Sequence, residues 1–274
     1  MKRWLATFLV FAASSAVVRA DITIVQTTTI EGGMAAMGGA NLSPKMTNRI
    51  KGLKSRNDVE MPNTNASTIT DLTTKQVIML RHDQKTAQFL AGAPAAPATA
   101  TTAPSISVKA DAAVTPTGKS QVIDGIKCDE YVFTSSMSMA DATGSQMPPE
   151  AAAMMKDLTM TMNGSMWVAK DVPGIAEYVA FQKALVSSNL SSALMGATGV
   201  SIPGMDKMMK AMGSVNGMAY LTEMTMTIEG SGQMADMMKQ MGAMKITTKV
   251  TSITSDPLAD DLFQVPAGYT VVKQ

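Results

Sequence analysis

Runs in which β-branched side chains alternate with polar ones recur from end to end of this chain. That period of two constrains its fold more than any other feature. Residues 21–30, DITIVQTTTI, set Ile22 and Ile24 against Thr23, Val25 and Thr27 and read as a strand. A glycine-rich break from Gly32 to Gly39 follows, and Lys45 to Arg56 resumes as a second, half-exposed strand around Met46, Ile50 and Leu53. Residues 67–90 divide at Thr73-Thr74-Lys75 and Asp83-Gln84-Lys85 into three short β-rich runs, the pattern of a hairpin meander. Asp124-Gly125, between two further strand-like runs, is a strong hairpin dipeptide. The strand after it places Tyr131, Phe133, Met137 and Met139 on one face, and residues 245–253 read as another strand. A turn at Asp256-Pro257 then leads into a terminal extended segment.

Two strands have an unusual lining. Asp157 to Val168 puts Leu158, Met160, Met162 and Met166 on one side, and Thr222 to Glu229 does the same with Met224, Met226 and Ile228. Between them the alternation lapses from Gly174 to Leu194, where Ala, Leu, Glu and Lys follow Pro173, and a helix is expected. Met205, Met208, Met209 and Met212 fall at i, i+3, i+4, i+7, and Met234, Met237, Met238 and Met241 repeat that spacing. Each set is one apolar stripe of a short amphipathic helix. The sum predicts an α+β fold, a curved antiparallel sheet covered on one face by two or three helices near 174–194, 205–212 and 234–244. Residues 91–117 carry Pro94, Pro97, Pro104 and Pro116 and almost no large apolar side chain. They read as a low-complexity excursion inside one domain spanning 21–274, or alternatively as a linker between two domains.

The first twenty residues have the form of a secretory signal. Lys2 and Arg3 precede an uncharged run from Leu5 to Val18, and Val18-Arg19-Ala20 meets the small-residue rule for cleavage after Ala20. A periplasmic or secreted protein beginning at Asp21 is expected, and the absence of Cys at that position argues against an acyl anchor. No later stretch approaches the roughly 20 apolar residues of a spanning helix, so the mature chain is not expected to cross a membrane. Removing Lys2, Arg3 and Arg19 leaves 20 basic against 22 acidic residues. This near balance, without a block of like charge, argues against nucleic acid as a partner.

With one His and one Cys, most metal cages, any internal disulfide and most histidine-based catalysis are excluded at the outset. The chain lacks H-E-x-x-H, C-x-x-C and G-x-S-x-G, and no enzyme activity or cofactor is expected. His82 lies in a predicted hairpin turn beside Arg81 and Asp83 and reads as a solvated turn residue. Cys128, on a predicted strand, reads as a buried inert thiol. The anomaly is methionine, 27 residues against 12 Phe, Tyr and Trp together. Three accounts fit. The unbranched thioether fills a core poor in aromatics, or the stripes line a cavity that repacks around an apolar ligand. In the third, clustered thioethers bind the soft ion Cu(I).

Four phrases, STITDLTTKQVIMLRHDQKT, TPTGKSQVIDGIKCDEYVF, MWVAKDVPGIAEYVAF and DPLADDLFQVPAGYTVV, occur in an order that resembles an uncharacterised family of exported bacterial proteins. That family is in turn similar to the LolA and LolB type of lipoprotein carriers. The resemblance implies a half-barrel plugged by helices over an apolar space that holds acyl chains. On this reading the chain is a non-enzymatic binder of a hydrophobic small molecule or acyl chain. Met160, Met162, Met224 and Met226 would line the sheet side of the site. Met205, Met208, Met209, Met212, Met234, Met237, Met238 and Met241 would line the helical side. The alternative use of the same thioethers is Cu(I) binding or buffering in the periplasm.

Overall fold

The computed structural model describes residues 21–32, 43–61, 64–92, 109–138, 157–188, 190, 211, 213, 215–231, 235–236, 239–240 and 242–272. Twelve strands form one sheet. In chain order they are β1 (Ile22–Glu31), β2 (Lys45–Lys51), β3 (Lys54–Met61), β4 (Thr64–Asp71), β5 (Gln76–Arg81) and β6 (Thr86–Ala91). Then come β7 (Lys109–Ile123), β8 (Ile126–Ser138), β9 (Thr159–Ala169), β10 (Met218–Glu229), β11 (Met244–Thr254) and β12 (Thr270–Val272). Their spatial order is β12-β6-β5-β4-β3-β2-β1-β11-β10-β9-β8-β7. Every pairing is antiparallel except β12 with β6.

The expected α+β architecture is corrected by these elements. The described residues contain one α-helix followed along its whole length, α1 (Ile175–Ser187), separate helical positions at 190, 211, 213, 235–236 and 239–240, and a 3-10 turn at Asp260–Phe263, against a sheet of twelve strands. The fold is therefore dominated by strand. A helical half-barrel cover of two or three helices is not what the described chain builds. The stripes that predicted the other helices fall largely outside the described residues. Met244, placed at the end of the third expected helix, instead opens β11.

Strand-forming sequence also reaches further than the alternation suggested. The run read as one strand over Lys45–Arg56 is two, because Gly52 adopts φ 59° and turns the chain back on itself. Strand β7 begins at Lys109, within the Ala/Pro/Thr-rich stretch, and accommodates Pro116 at an irregularity between Pro116 and Ser120. An edge strand is where a residue without a backbone N–H is tolerated. Asp124-Gly125 forms the expected hairpin turn, both residues at positive φ. The meander of β4, β5 and β6 is also present. Asp71 accepts hydrogen bonds from the Thr73 and Thr74 N–H groups at 2.8 and 3.2 Å and so closes its first turn.

Two cores lie on opposite sides of the strands β4 to β6, because neighbours in sequence such as Val77 and Ile78 point to opposite faces. Ile22, Ile24, Ile50, Leu72 and Val77 join Phe181 of α1 on one side, with Tyr178, Ala184 and Leu185 packed beside them. Helix α1 can approach only because residue 174 is glycine. It sits at φ 72°, and a Cβ there would lie 2.9 Å from that of Ile22. On the other side Ile69, Ile78, Leu80 and Ala87 are covered by the C-terminal segment through Phe263, Leu258, Leu262, Val265 and Tyr269. Burying a side chain such as Phe263 in this way contributes roughly 1.5–3 kcal/mol. The segment is also tied down by polar contacts. Asp21 accepts from the Leu258 N–H at 2.7 Å, and Lys51 reaches the Leu258 carbonyl at 2.6 Å and Asp260 at 2.9 Å.

Candidate functional site

The methionines of β9 and β10 meet on one face of the sheet. Met160 lies opposite Ile228 of β10 and Met137 of β8, and Met162 lies opposite Met226 and Ser135. Met226 in turn faces Met244 of β11, and Met224 faces Ile246. One row across four strands therefore reads Ser135, Met162, Met226, Met244. Directly opposed side chains stand about 4.5–5.5 Å apart at Cβ, close enough for neighbouring thioethers to touch. Met160, Met162, Met224, Met226 and Met244 are all half-buried, whereas Met137 and Met166 are buried. The row is thus partly uncovered above a sealed base of Phe133, Met166 and Val168.

Gly164 interrupts the methionines at the position between Met162 and Met166. A Cβ there would run into the Glu223 carbonyl oxygen and come 2.6 Å from Cζ of Phe133. The missing side chain lets β9 and β10 close up and lets the Phe133 ring lie across the strand.

A cavity of about 540 Å³ adjoins this face. It is bounded by Thr227, Ile228, Glu229 and Gly230 at the end of β10 and by Lys239, Gly242 and Ala243. Ile228 belongs both to the cavity wall and to the methionine face, since it is the partner of Met160. None of the four described methionines of the expected site lines the cavity itself. Lys239 donates to the Gly230 carbonyl at 2.8 Å, so its ammonium group is held at the rim.

Of the twelve methionines expected to line a ligand site, four are placed by the structure and brought together. These are Met160, Met162, Met224 and Met226. The other eight, Met205, Met208, Met209, Met212, Met234, Met237, Met238 and Met241, lie outside the described residues. Met244, not anticipated on this face, joins it because β11 begins one residue earlier than the alternation indicated. Met137 was foreseen on its own strand, but its position against Met160 depends on strand pairing, which periodicity alone does not specify.

A polar cluster occupies the opposite face, under the C-terminal segment. Asp58 accepts hydrogen bonds from Ser67, from Arg56 at 2.7 Å and from Arg49. Ser67 also contacts Nε2 of His82 at 2.5 Å and Nη2 of Arg56 at 3.2 Å, and Nδ1 of His82 meets the Tyr269 hydroxyl at 2.5 Å. Arg56 reaches over to the Leu262 carbonyl at 3.2 Å. Burial alone would raise the Asp58 carboxyl. The hydrogen bonds from Ser67 and Arg56 and the charges of both arginines outweigh it and hold the group below the usual carboxylate range. The reading of His82 as a solvated turn residue is corrected here. It is in a turn, but it is half-buried and bonded at both ring nitrogens, because Tyr269 folds back from far along the chain to reach it. Ser67 is buried, so this chain of hydroxyls and imidazole is a structural clasp with no nucleophile open to a substrate.

A smaller depression of about 200 Å³ lies along β7 and β8, bordered by Lys119, Glu130, Asp129 and Lys170. Its charges are already paired, Lys119 with Glu130 at 3.3 Å and Lys170 with Asp129 at 2.7 Å. The hydrogen bond from Lys170, with help from Ser120, lowers the Asp129 carboxyl. Cys128 is a free, buried thiol, pushed up first by burial and then by the charges of Asp129 and Asp124. Among the described residues no three of His, Cys, Asp and Glu are grouped as a metal site requires, and no helix is long and apolar enough to cross a membrane.

No protein-family model matches this chain, and no curated protein matches it. Among solved structures, an uncharacterized conserved protein from Thermus thermophilus aligns over 94% of this chain and 92% of its own length. The alignment has 8% identity and a TM-score of 0.37, a likeness too loose to define a shared fold or a function.

Proposed function

We propose that this chain is an exported, non-enzymatic binder of a hydrophobic, lipid-like molecule. The ligand lies against the methionine face of β8 to β11. The observation that carries this reading is the row Met162, Met226, Met244, half-buried and flanked by Met160, Ile228 and Met224 beside a cavity of about 540 Å³. Unbranched, polarizable side chains side by side on a strand face adapt to apolar partners of different outline, where β-branched side chains would impose one shape. Mature protein purified without detergent and extracted into organic solvent is expected to release an acyl-chain compound in near-stoichiometric amount by mass spectrometry. If extracts are empty and the purified protein takes up neither a fatty alcohol nor its ether from solution, the reading is wrong.

A second reading, Cu(I) binding, is favoured by the same row, because three thioethers on adjacent strands can approach one ion. Titration against a competing Cu(I) chelator separates the two. Affinity much tighter than micromolar, abolished by Met162→Leu with Met226→Leu and Met244→Leu, supports the metal. Micromolar or weaker affinity removes it, and the same leucine variant is then expected to keep its apolar ligand.

A further inference from the structure

The face that carries the methionines also carries a pair of polar groups with nothing to bind. Cross-strand partners share a face, so the side can be traced from β10 through Ile246 and Ile30 to β1, and from Ile24 of β1 to Asn48 of β2. Asn48 is the register partner of Asn57 on β3, and Asn57 is the partner of Thr68 on β4. The Oδ1 atoms of Asn48 and Asn57 are both buried, and neither has a hydrogen-bond partner. A buried carbonyl left unpaired costs free energy that a bound donor would recover, and two of them side by side are rare in a folded sheet.

The surroundings define the chemistry of the missing donor. Below the pair, Ile22, Ile24, Ile50, Ser55 and Thr70 are buried and seal the sheet against α1 and the core. Above it, Met46 and Val59, themselves register partners, are half-buried and continue the apolar face. Across β1 to β4, the rows through Ile22, Ile24 and Gln26 contain no charged side chain. A charged head group would lose its hydration there without a counter-ion, whereas a neutral donor would not. Asn48 and Met224 stand six residues apart along the strands and three strands apart across the sheet, roughly 25 Å at the usual rise and spacing.

We infer that the ligand is an amphiphile, with an uncharged hydroxyl or amide head donating to Asn48 and Asn57 and an alkyl tail running toward Met224 and Met226. This rests on the hydrophobic-ligand reading above and adds the class of molecule. The head group is a neutral hydrogen-bond donor, which excludes a bare hydrocarbon, a carboxylate and a quaternary ammonium.

The test compares decan-1-ol with 1-methoxydecane by isothermal titration calorimetry on the mature chain. The two have similar tails, and only the alcohol donates a hydrogen bond. The wild-type protein is expected to bind the alcohol several-fold to roughly tenfold tighter than the ether, the worth of such a bond in a buried site. Replacing Asn48→Leu and Asn57→Leu together is expected to erase that preference, so that the two compounds bind alike, and far-ultraviolet circular dichroism reports whether the variant is folded. Equal binding of both compounds to the wild-type chain would overturn the inference and leave the carrier reading standing. So would a full preference retained by the double variant. Binding of neither compound would overturn the carrier reading and this inference with it. The wild-type comparison decides the matter even where the double variant does not fold.

Discussion

Asp58→Ala is expected to lower the stability of the protein by about 3 kcal/mol, the scale on which removing one partner of a largely desolvated ion pair is felt. The carboxylate holds Arg49, Arg56 and Ser67 at once, and its side chain is only 19% exposed. Without it two guanidinium groups face each other and Ser67 loses its acceptor. Because Arg56 and His82 carry the segment around Leu262 and Tyr269, damage should extend to the covering of Ile69, Leu80 and Phe263. Urea unfolding followed by tryptophan fluorescence checks the magnitude, and a midpoint within error of wild type would contradict the role given to the cluster.

The same group predicts a pH dependence. Its folded pKa lies below the unfolded value of about 3.9, so its contribution is complete above that value and disappears as pH falls through the lower folded pKa. An Asp58→Asn variant should therefore show a shallower loss of stability below about pH 4 than wild type, while differing from it most at neutral pH.

Gly164→Ala is the second large effect. One methyl group would have to occupy space that the Glu223 carbonyl oxygen already fills, 2.6 Å from the Phe133 ring. The ring can rotate away, but the backbone of β10 cannot without loss of the Met224 pairing. Overpacking of this kind costs roughly 1–3 kcal/mol. Because relief comes only from parting β9 from β10, ligand uptake should fall together with the thermal midpoint. A variant as stable as wild type would mean that the two strands have room to spare.

What the sequence made legible was local. Ile22, Ile24 and Val250 alternate with polar residues, and Asp124-Gly125 states its turn outright, so strands such as β1, β8 and β11 were foreseeable. Hairpin dipeptides and a period of two are properties of a few adjacent residues. The methionine faces of β9 and β10 were readable for the same reason. Their union with Met244 was not, since it depends on the pairings of β9 with β10 and of β10 with β11, which the period of a single strand does not specify.

The errors had physical causes of the same kind. The third helix was expected to run to residue 244, but Met244 already opens β11, although Ala235, Asp236, Lys239 and Gln240 before it are helical. A lone His between Arg81 and Asp83 looked solvated because nothing nearby could cover it. Tyr269 does so from the other end of the domain. Asn48 and Asn57 carried no signal at all, because each is an ordinary polar residue on its own strand and becomes unusual only opposite the other.

The claim on which the functional account turns is that the thioether face is a contact surface for an apolar chain. Labelling the methionine methyl groups of the protein with carbon-13 and titrating octadecan-1-ol, long enough to reach from the asparagine pair to the methionine row, tests it directly by NMR, with Met→Leu variants assigning the signals. The account predicts that the methyl resonances of Met160, Met162, Met224, Met226 and Met244 move together and saturate, while that of buried Met218 stays fixed. Saturable binding by calorimetry with none of those five signals displaced would contradict it.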